Sequence, residues 1–271
     1  MKSELIGPFQ AKPFAAPYVI AHRGISAKAP ENTLAAFSLA TKSNGIDMVE
    51  LDVRLSSDDQ VIVLHDRTLQ RTSTGNGAAR NYSYAGAARN YSYAEIAQLN
   101  AGSWFHPSFS GECIPTLRSV LELVRGKRWV NIELKSDFLH REQRGVLEEK
   151  ILQVVRECGM LQQVMFSSFD HHLIANLKRT NAVSITGVLY NLYRDFGRMP
   201  SKLAGRAGAS VFVCAKQELR KGMIQDAHDN GIAVYVYTLN SVEDVQKMLD
   251  FGVDGILSDN ADDIVTLVKG S

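Results

Sequence analysis

The sequence lacks any long hydrophobic run. The 271-residue chain contains no stretch that approaches the ~18 consecutive apolar residues needed to cross a bilayer. Its first twenty residues contain two lysines but no continuous apolar segment, and Pro8, Pro13 and Pro17 interrupt them, which makes a poor secretory signal. We therefore expect a cytoplasmic protein without a membrane span.

Cysteine is scarce, and neither sign of charge predominates. Cys113, Cys158 and Cys214 are too few and too widely spaced for a disulfide framework or a CxxC metal site. The 30 lysine and arginine residues face 29 acidic residues, so the formal net charge is +1. This balance lacks the basic excess of nucleic-acid-binding proteins, and we expect no nucleic-acid partner. The 45% hydrophobic content is typical of globular chains with a large core.

Strand-like runs alternate with amphipathic segments from Tyr18 to the C-terminus. The eight strand-like runs are Tyr18–Ala21, Met48–Leu55, Trp129–Leu134, Val164–Ser167, Val183–Leu189, Ser210–Cys214, Ala233–Tyr237 and Gly255–Leu257. The segments that predict helices include Thr33–Ser43, Leu117–Val124, Glu142–Glu157, Asp170–Lys178, Lys216–Asn230, Val242–Phe251 and Ala261–Val268. Eight strand–helix units over this length imply parallel strands with right-handed crossovers. They fit a (β/α)8 TIM barrel.

An open doubly wound sheet is the structural alternative. Such a sheet usually has a glycine-rich GxGxxG turn after its first strand, and this chain has none there. We therefore predict an α/β protein in which residues 1–271 form a single TIM-barrel domain.

The regular pattern changes after the second predicted strand. The run Val61–Leu64 follows a short turn and predicts a hairpin extension of that strand. Glycine, serine, asparagine and tyrosine then predominate across residues 71–115. Long connections of this kind indicate an insertion over one end of the barrel.

The insertion contains a tandem duplication. The nine residues GAARNYSYA occupy Gly77–Ala85 and are repeated without change at Gly86–Ala94. Two copies are too few for a solenoid, and lengthening a surface loop costs little free energy. We predict that the second copy is tolerated surface padding. A modified lid over the active site is the alternative.

Charged side chains and histidines cluster where the first three predicted strands end. They are His22 and Arg23 after the first strand, Glu50 and Asp52 on the second, His65 and Asp66 after the hairpin run, and Glu133 and Lys135 on the third. Period-2 alternation places Glu50 with Asp52 on one strand face, and Glu133 with Lys135 on another. Because TIM-barrel active sites lie at the C-terminal rim, we expect these residues to share one pocket.

Three carboxylates in one pocket require a compensating cation. Glu50, Asp52 and Glu133 would otherwise repel and raise one another's pKa. Carboxylate oxygens suit Mg²⁺ or Ca²⁺, and no thiolate or histidine trio points to zinc. A hard cation beside Arg23 and Lys135 makes a site for a phosphate.

Two histidines complete the predicted chemistry. His22 and His65 supply a base and an acid near neutral pH, and a metal, a cationic clamp and two histidines together describe a phosphodiester-cleaving site. A simpler interpretation is that these charged residues lie on solvent-exposed faces of the strands. The flanking segments MVELDV and VNIELK are apolar, however, and buried charges persist mainly when they are paired or metal-bound.

The motifs follow one another in a specific order. They are His22-Arg23-Gly24, Pro30–Thr33 (PENT), Glu50–Val53 (ELDV), Val63–Asp66 (VLHD), Arg71–Gly77 (RTSTGNG), Glu133–Lys135 (ELK), Phe166–Asp170 (FSSFD), Val236–Asn240 (VYTLN) and Gly252–Asn260 (GVDGILSDN). This series closely resembles the glycerophosphodiester phosphodiesterases of the cytoplasmic bacterial type. The resemblance covers roughly Tyr18 to the C-terminus.

The resemblance implies a role for each matched residue. The implied roles are catalysis for His22 and His65, metal binding for Glu50, Asp52 and Glu133, and phosphate binding for Arg23 and Lys135. Glu31 lies in the PENT motif at the pocket rim, where it would bind substrate or orient a histidine or an arginine. Asn32 or Thr33 is expected to cap the first helix.

Two motifs depart from the family pattern. The late motif commonly has tryptophan where Tyr237 stands, and the tyrosine ring could still pack on glycerol while its hydroxyl adds a hydrogen bond. Tyr237 is therefore a candidate substrate-binding residue. The end motif more often has proline where Ala261 stands, a loss expected to affect only the helix start.

The implied activity is metal-dependent hydrolysis of glycerophosphodiesters, such as glycerophosphocholine or glycerophosphoethanolamine, to glycerol 3-phosphate and an alcohol. His22 would be the base and His65 the acid, and either the glycerol 2-hydroxyl or a water molecule would attack. One alternative is a related barrel phosphodiesterase for lysophospholipids or sphingomyelin-type head groups. It is disfavoured because no membrane-binding helix is conspicuous.

A catalytically silent binding barrel is a second alternative. Degenerate members should lose a histidine or a metal carboxylate, and none is missing from these motifs. We expect a small-molecule substrate and a monomer or homodimer.

Overall fold

The computed structural model describes residues 17–75, 88–136 and 145–270. The strands in these ranges are β1 (Tyr18–His22), β2 (Met48–Leu55), β3 (Val61–Val63), β4 (Trp129–Leu134), β5 (Val164–Ser168), β6 (Ile185–Leu189), β7 (Val211–Ala215), β8 (Ala233–Tyr237) and β9 (Gly255–Ser258). All eight predicted barrel strands are present. They run parallel, and the sheet closes because β1 pairs with both β2 and β9. The predicted TIM barrel is confirmed.

The predicted hairpin is also present. Strand β3 pairs antiparallel with β2, with Val53 opposite Val63 and Leu55 opposite Val61. The amide of Leu64 then donates to the Asp52 carbonyl at 2.9 Å. This pairing brings the chain after β3 back to the C-terminal rim of the barrel.

Helices connect the strands around the outside of the barrel. In the described ranges they are α1 (Leu34–Lys42), α2 (Tyr93–Ile96), α3 (Leu117–Val124), α4 (Val146–Glu157), α5 (His171–Thr180), α6 (Leu192–Asp195), α7 (Pro200–Ala207), α8 (Lys221–Asp229), α9 (Val242–Phe251) and α10 (Ala261–Lys269). None of these helices has the length and apolar character needed to cross a bilayer.

One predicted helix boundary is wrong. The helix expected from Lys216 begins only at Lys221. The Lys216 amide donates to the Tyr237 carbonyl at 2.8 Å, and its ammonium pairs with Asp244. These bonds hold residues 216–220 in a loop against the neighbouring unit, so tertiary contacts override the local helical pattern.

Helix α7 was not among the predicted segments. It begins with Pro200 in its first turn and ends at Ala207, and its C-cap is Gly208, which adopts a left-handed conformation with φ of +68°. Proline in the first turn and glycine just after the last residue are typical of helix ends. Part of the segment predicted as Glu142–Glu157 and the N-terminal residues considered for a secretory signal lie outside the described residues.

The barrel interior changes from apolar to polar along its axis. Ile20, Met48, Val211 and Tyr235 belong to an apolar cluster of buried residues. Because side chains alternate along a strand, the position two residues after Ile20, which is His22, faces the same way. The same spacing relates Met48 to Glu50 and Tyr235 to Tyr237. The apolar layer therefore forms the floor of a polar C-terminal end.

The insertion has a small core of its own, which includes side chains from residues 88–94, the described part of the second copy of the duplication. Ala88 is 1% exposed and packs in a cluster with Ile62, Leu69 and Ile96. Arg89 donates to Asp59 Oδ1 at 2.6 Å, and it also bonds the Ser56 carbonyl. The prediction that the second copy is surface padding is wrong, because this copy fastens the insertion to the barrel.

Glu95, the residue after the second copy, completes a capping box with a serine of that copy. Ser92 caps α2 by accepting a hydrogen bond from the Glu95 amide, and the Glu95 carboxylate accepts one from the Ser92 amide. The equivalent serine in the first copy, Ser83, is followed three residues later by Gly86. Only the second copy can form this capping box. The first copy lies outside the described residues.

Candidate active site

The first strand ends in a tight turn that directs a backbone amide into the site. Arg23 and Gly24 both have positive φ, +57° and +80°. A side chain at Gly24 would place its Cβ 2.6 Å from the carbonyl carbon of Ala36, so glycine is required there. The Arg23 amide donates to Glu50 Oε2 at 3.0 Å. The HRG motif thus joins α1, β1 and β2 at the barrel rim.

The three predicted carboxylates lie together. Ligand atoms of Glu50, Asp52 and Glu133 are all within 4.8 Å of one another, and all three side chains are buried. Lys135 Nζ lies 2.8 Å from Asp52 Oδ1 and also bonds Glu133. Arg23 Nε lies 3.2 Å from Asp52 Oδ2. Two cations therefore face three carboxylates in the cluster.

The charges in this cluster are unevenly balanced. Burial, followed by repulsion from Asp52 and Glu133, raises the pKa of Glu50 well above its ordinary value. Burial also raises the pKa of Glu133. Burial alone would raise the pKa of Asp52 as well, but Lys135 and Arg23 lower it below the ordinary range. Two cations do not fully balance three carboxylates, and an all-oxygen donor set of this kind fits a hard divalent cation.

His22 is held by a carboxylate from the end of the chain. Its Nδ1 lies 2.7 Å from Asp259 Oδ1. Asp259 also accepts from Ser26 Oγ at 3.0 Å and from Asn240 Nδ2 at 2.7 Å, and its own amide donates to Asn240 Oδ1 at 2.9 Å. The VYTLN and GVDGILSDN motifs thus fix one carboxylate that orients His22.

His65 has an equivalent partner next to it in sequence. Its Nδ1 lies 2.7 Å from Asp66 Oδ1, and Asp66 Oδ2 accepts from Arg71 Nε at 2.5 Å. Burial opposes ionisation of Asp66, but hydrogen bonds from Arg71 and His65 lower its pKa to about 2. Burial lowers the pKa of His65 itself. Both histidines therefore present Nε2 as the nitrogen not engaged by an aspartate.

Glu31 lies between two arginines. Its Oε1 accepts from Arg23 Nη1 at 2.8 Å and from Arg71 Nη2 at 2.7 Å. Glu31 lines a small cavity together with His65. It does not line the larger neighbouring cavity, whose wall includes His22 and Glu50. Glu31 therefore contacts two arginines of the site, and its predicted role in substrate binding or in orienting an arginine stays a prediction.

Of the two residues expected to cap the first helix, Thr33 is the cap and Asn32 has a different contact. Thr33 is the N-cap of α1, and its side chain accepts from the Ala36 amide. Asn32 instead has a φ of +58° and donates from Nδ2 to Asp52 Oδ2 at 2.8 Å. The PENT motif therefore supports Asp52 and starts the helix at the same time.

One cavity of about 220 Å³ unites most of the predicted residues. The predicted residues that line it are His22, Arg23, Glu50, His65, Glu133, Lys135 and Tyr237. Apolar side chains such as Phe169, Leu189 and Leu257 form the rest of its wall. Burial raises the pKa of Tyr237, with a smaller contribution from Glu133, so its hydroxyl stays protonated at neutral pH. The cavity has a charged side for an anion and an apolar side for carbon.

Several residues of the site were not assigned by sequence reasoning. Asp259, Asp66 and Arg71 belong to the sequence motifs, but the sequence alone indicates no role for them. Asn131 and Ser167 also line the cavity, where the Ser167 hydroxyl donates to Asn131 Oδ1 at 2.8 Å. Asn131 precedes Glu133 by two residues, so strand periodicity alone could have placed it on the same face.

Comparison with known proteins agrees with this geometry. The model of the glycerophosphoryl diester phosphodiesterase family matches residues 22–263. A glycerophosphodiester phosphodiesterase from Caldanaerobacter subterraneus subsp. tengcongensis is 34% identical over 253 residues, covering 93% of this chain and 97% of that protein. Another from Bacillus altitudinis is 31% identical over 258 residues, covering 92% and 97%.

Solved structures show the same fold. A phosphodiesterase from Oleispira antarctica, solved in complex with the product sn-glycerol-3-phosphate, has a TM-score of 0.82 at 26% identity and covers 94% of this chain and 98% of its own. A glycerophosphodiester phosphodiesterase from Agrobacterium tumefaciens has a TM-score of 0.76 at 30% identity, with coverage of 92% and 99%. The chain described here belongs to the glycerophosphoryl diester phosphodiesterase family.

Proposed function

We propose that the protein hydrolyses glycerophosphodiesters, such as glycerophosphocholine and glycerophosphoethanolamine, to glycerol 3-phosphate and an alcohol. One observation carries the proposal: a cluster of three buried carboxylates, two of which line the cavity, lies with two cations and two aspartate-paired histidines at one cavity. The product bound to the Oleispira antarctica phosphodiesterase supports glycerol 3-phosphate as the phosphate-containing product.

The acidic cluster is proposed to hold the metal. Glu50, Asp52 and Glu133 are the donor set, and Mg²⁺ or Ca²⁺ bound there would supply positive charge that stabilises the phosphate in the transition state. Arg23 and Lys135 act beside it, because both line the cavity and both carry a charge that suits a phosphate oxygen. Burial makes these charges more effective than they would be in water.

The two histidines are proposed to move the protons. Asp259 engages Nδ1 of His22, and Asp66 engages Nδ1 of His65, so each ring is left with Nε2 for the substrate. His22 accepts the proton of the attacking hydroxyl at Nε2. His65 donates a proton from Nε2 to the oxygen of the departing alcohol. The attacking group is either the glycerol 2-hydroxyl, which leaves a cyclic phosphate that water opens, or water itself.

The apolar side of the cavity is proposed to contact carbon atoms of the substrate. Phe169, Leu189 and Leu257 form this side, and the Tyr237 hydroxyl provides a hydrogen bond near it. Small polyol groups combine a carbon skeleton with hydroxyls, which suits an aromatic ring with a polar end. The cavity of about 220 Å³ is large enough for a small polyol phosphate.

The test is the release of glycerol 3-phosphate from glycerophosphocholine with Mg²⁺ or Ca²⁺ and then with EDTA. We expect metal-dependent release that EDTA abolishes. Glu50→Gln should lose this activity, while Glu149→Gln, on the exposed surface of α4, should keep it. Release that persists in EDTA or in Glu50→Gln would contradict the proposal. Hydrolysis of lysophosphatidylcholine but not of glycerophosphocholine would support the lysophospholipid alternative.

A further inference from the structure

Exposed hydrophobic side chains are concentrated in one short segment. The exposed large hydrophobic side chains within the described ranges are Leu34, Trp104, Val183, Leu192, Tyr193, Phe196, Met199 and Val242. Four of these eight lie between residues 192 and 199, where Tyr193 is 97% exposed and Phe196 is 79% exposed. Scattered exposed hydrophobic residues are normal, but a contiguous group commonly marks an interaction surface.

This segment lies at the rim that carries the active site. It follows the C-terminal end of β6, and Leu189 at that end lines the catalytic cavity. Leu34 and Val242 are the first residues of α1 and α9, so they also lie at the ends where strands lead into helices. Val183 precedes β6 and lies at the opposite end of the barrel. The hydrophobic side chains therefore favour one face of the barrel.

Basic side chains adjoin the same segment. A cavity of about 240 Å³ between α5 and α7 begins beside this segment. The arginine and aspartate residues that line it are Arg194, Arg198, Arg206, Asp170 and Asp195. We call this the basic groove. Its three arginines exceed its two aspartates. A second cavity, which Lys178 and Arg179 line, continues from it toward the opposite end of the barrel and is not part of the groove.

Both aspartates of the basic groove are already engaged. Asp170 caps α5 by accepting from the His172 amide at 3.0 Å. Asp195 is 1% exposed, accepts from the Asn191 amide at 3.1 Å and lies 3.2 Å from Arg194 Nη2. The outward-facing charge of the groove is therefore positive.

A histidine connects the basic groove to the catalytic cavity. His171 lines the groove, and its Nε2 lies 2.9 Å from the carbonyl oxygen of Leu189, which lines the cavity. The segment 192–199 and the groove thus border the mouth of the active site from one side.

We propose that this surface, formed by residues 192–199 and the basic groove, docks on an anionic phospholipid bilayer. Aromatic side chains such as Tyr193 and Phe196 favour the membrane–water interface. Arginines beside them are attracted by anionic lipid head groups. Hydrophobic and cationic side chains on one rim match an anionic lipid surface better than a free anion, because a free anion would not require the exposed aromatic residues. Docking in this orientation turns the mouth of the active site toward the lipid surface.

The test is co-sedimentation of the full chain with vesicles of phosphatidylcholine alone or with one quarter phosphatidylglycerol. We expect binding to the anionic vesicles that weakens as salt is raised. Arg198→Gln with Arg206→Gln should weaken this binding about thirtyfold. Arg198→Lys with Arg206→Lys should preserve it, because the charge remains. Tyr193→Ser with Phe196→Ser should also weaken it.

Controls separate docking from general effects. Val183→Ser with Arg156→Gln removes a hydrophobic and a basic side chain elsewhere on the surface and should leave binding unchanged. The measurement is of binding, so its outcome does not depend on the proposed activity. Failure of the wild-type chain to bind anionic vesicles, or equal loss in the control variant, would overturn the proposal. A dimer that dissociates when Phe196 is replaced by serine would instead assign the surface to a second copy.

Discussion

His22 Nδ1 lies 2.7 Å from Asp259 Oδ1, although the two residues are 237 positions apart in the chain. Closure of the barrel makes this contact, because β9 pairs with β1 and sets Ala21 opposite Ser258. The aspartate fixes which nitrogen of the imidazole faces the cavity. Ser26 and Asn240 hold the aspartate in turn, so the orientation of His22 depends on three segments.

We expect Asp259→Asn to lower kcat about 10- to 100-fold, as is usual when the partner of a functional histidine is removed. An amide cannot accept the Nδ1 proton as strongly, and the ring would favour the wrong tautomer. The measurement is kcat and KM for glycerophosphocholine, together with the NMR signature of the His22 tautomer. Asp263→Asn is the control, because it removes an exposed carboxylate that pairs with Lys28. Unchanged kcat and tautomer in Asp259→Asn would contradict this role.

The same aspartate should make stability depend on pH. Burial opposes its ionisation, but hydrogen bonds from His22, Asn240 and Ser26 lower its pKa from 3.8 to about 2. A carboxylate with a lowered folded-state pKa stabilises the protein above its unfolded pKa, and this contribution is lost as pH falls through the folded pKa. Asp259 is partly exposed, so we expect a contribution of roughly 1 kcal/mol.

Denaturant unfolding of the wild-type chain and of Asp259→Asn tests this linkage. The difference in unfolding free energy should be constant from pH 5 to 7 and shrink as the pH falls from about 4 toward about 2. A difference that does not change over this acidic range would show that the ionised carboxylate is not the stabilising species.

Glu50→Gln should stabilise the metal-free protein and should also remove its stabilisation by a divalent cation. Burial, Asp52 and Glu133 raise the Glu50 pKa, so its ionised form is costly in the metal-free protein. Replacing it with a neutral amide should therefore raise the metal-free melting temperature, by roughly 2–4 °C. The gain should be larger at pH 8 than at pH 5, because ionisation above the unfolded pKa carries the cost. Added Mg²⁺ or Ca²⁺ should raise the wild-type melting temperature and leave the variant unaffected.

Thermal denaturation with and without each cation provides the measurement. Glu149→Gln is the matched control, since it removes an exposed glutamate from α4. A metal shift of equal size in Glu50→Gln would show that the cation binds elsewhere.

The duplicated segment allows an internally matched test. Arg89→Gln should lower the unfolding free energy by about 1 kcal/mol, because Arg89 bonds Asp59 and the Ser56 carbonyl. Arg80 occupies the same place in the first copy, and Arg80→Gln should have no effect on unfolding free energy. Equal destabilisation by both substitutions would indicate that the two copies exchange in the same site. Deletion of Gly77–Ala85 should leave stability unchanged.

Features carried by local pattern could be predicted from the sequence. Runs rich in β-branched residues located the strands, and period-2 alternation placed Glu50 with Asp52 on one face. The apolar neighbours of these acids indicated burial, and both are buried, at 2% and 1% exposure. These features depend only on residues that are close to one another in the sequence.

Features set by closure of the barrel could not be read in the same way. The Asp259–His22 contact joins the last strand to the first, and no spacing rule connects them. Residues 216–220 follow a helical pattern yet form a loop, because Lys216 bonds β8 and Asp244. Helix α7 is an exception: its buried residues Pro200, Leu203, Ala204 and Ala207 follow the helical period, so the sequence alone could have indicated it. Its packing against α5 and α8 stabilises it.

The central claim is that this cavity cleaves a glycerophosphodiester on the side that leaves phosphate on glycerol. Phosphorus NMR of glycerophosphocholine incubated with the protein and a divalent metal tests it most directly. We predict that glycerol 3-phosphate replaces the substrate signal, with free choline in equal amount, and that His22→Ala and His65→Ala each prevent this. Phosphocholine and glycerol as the products, or unchanged glycerol 3-phosphate formation by either histidine variant, would contradict it.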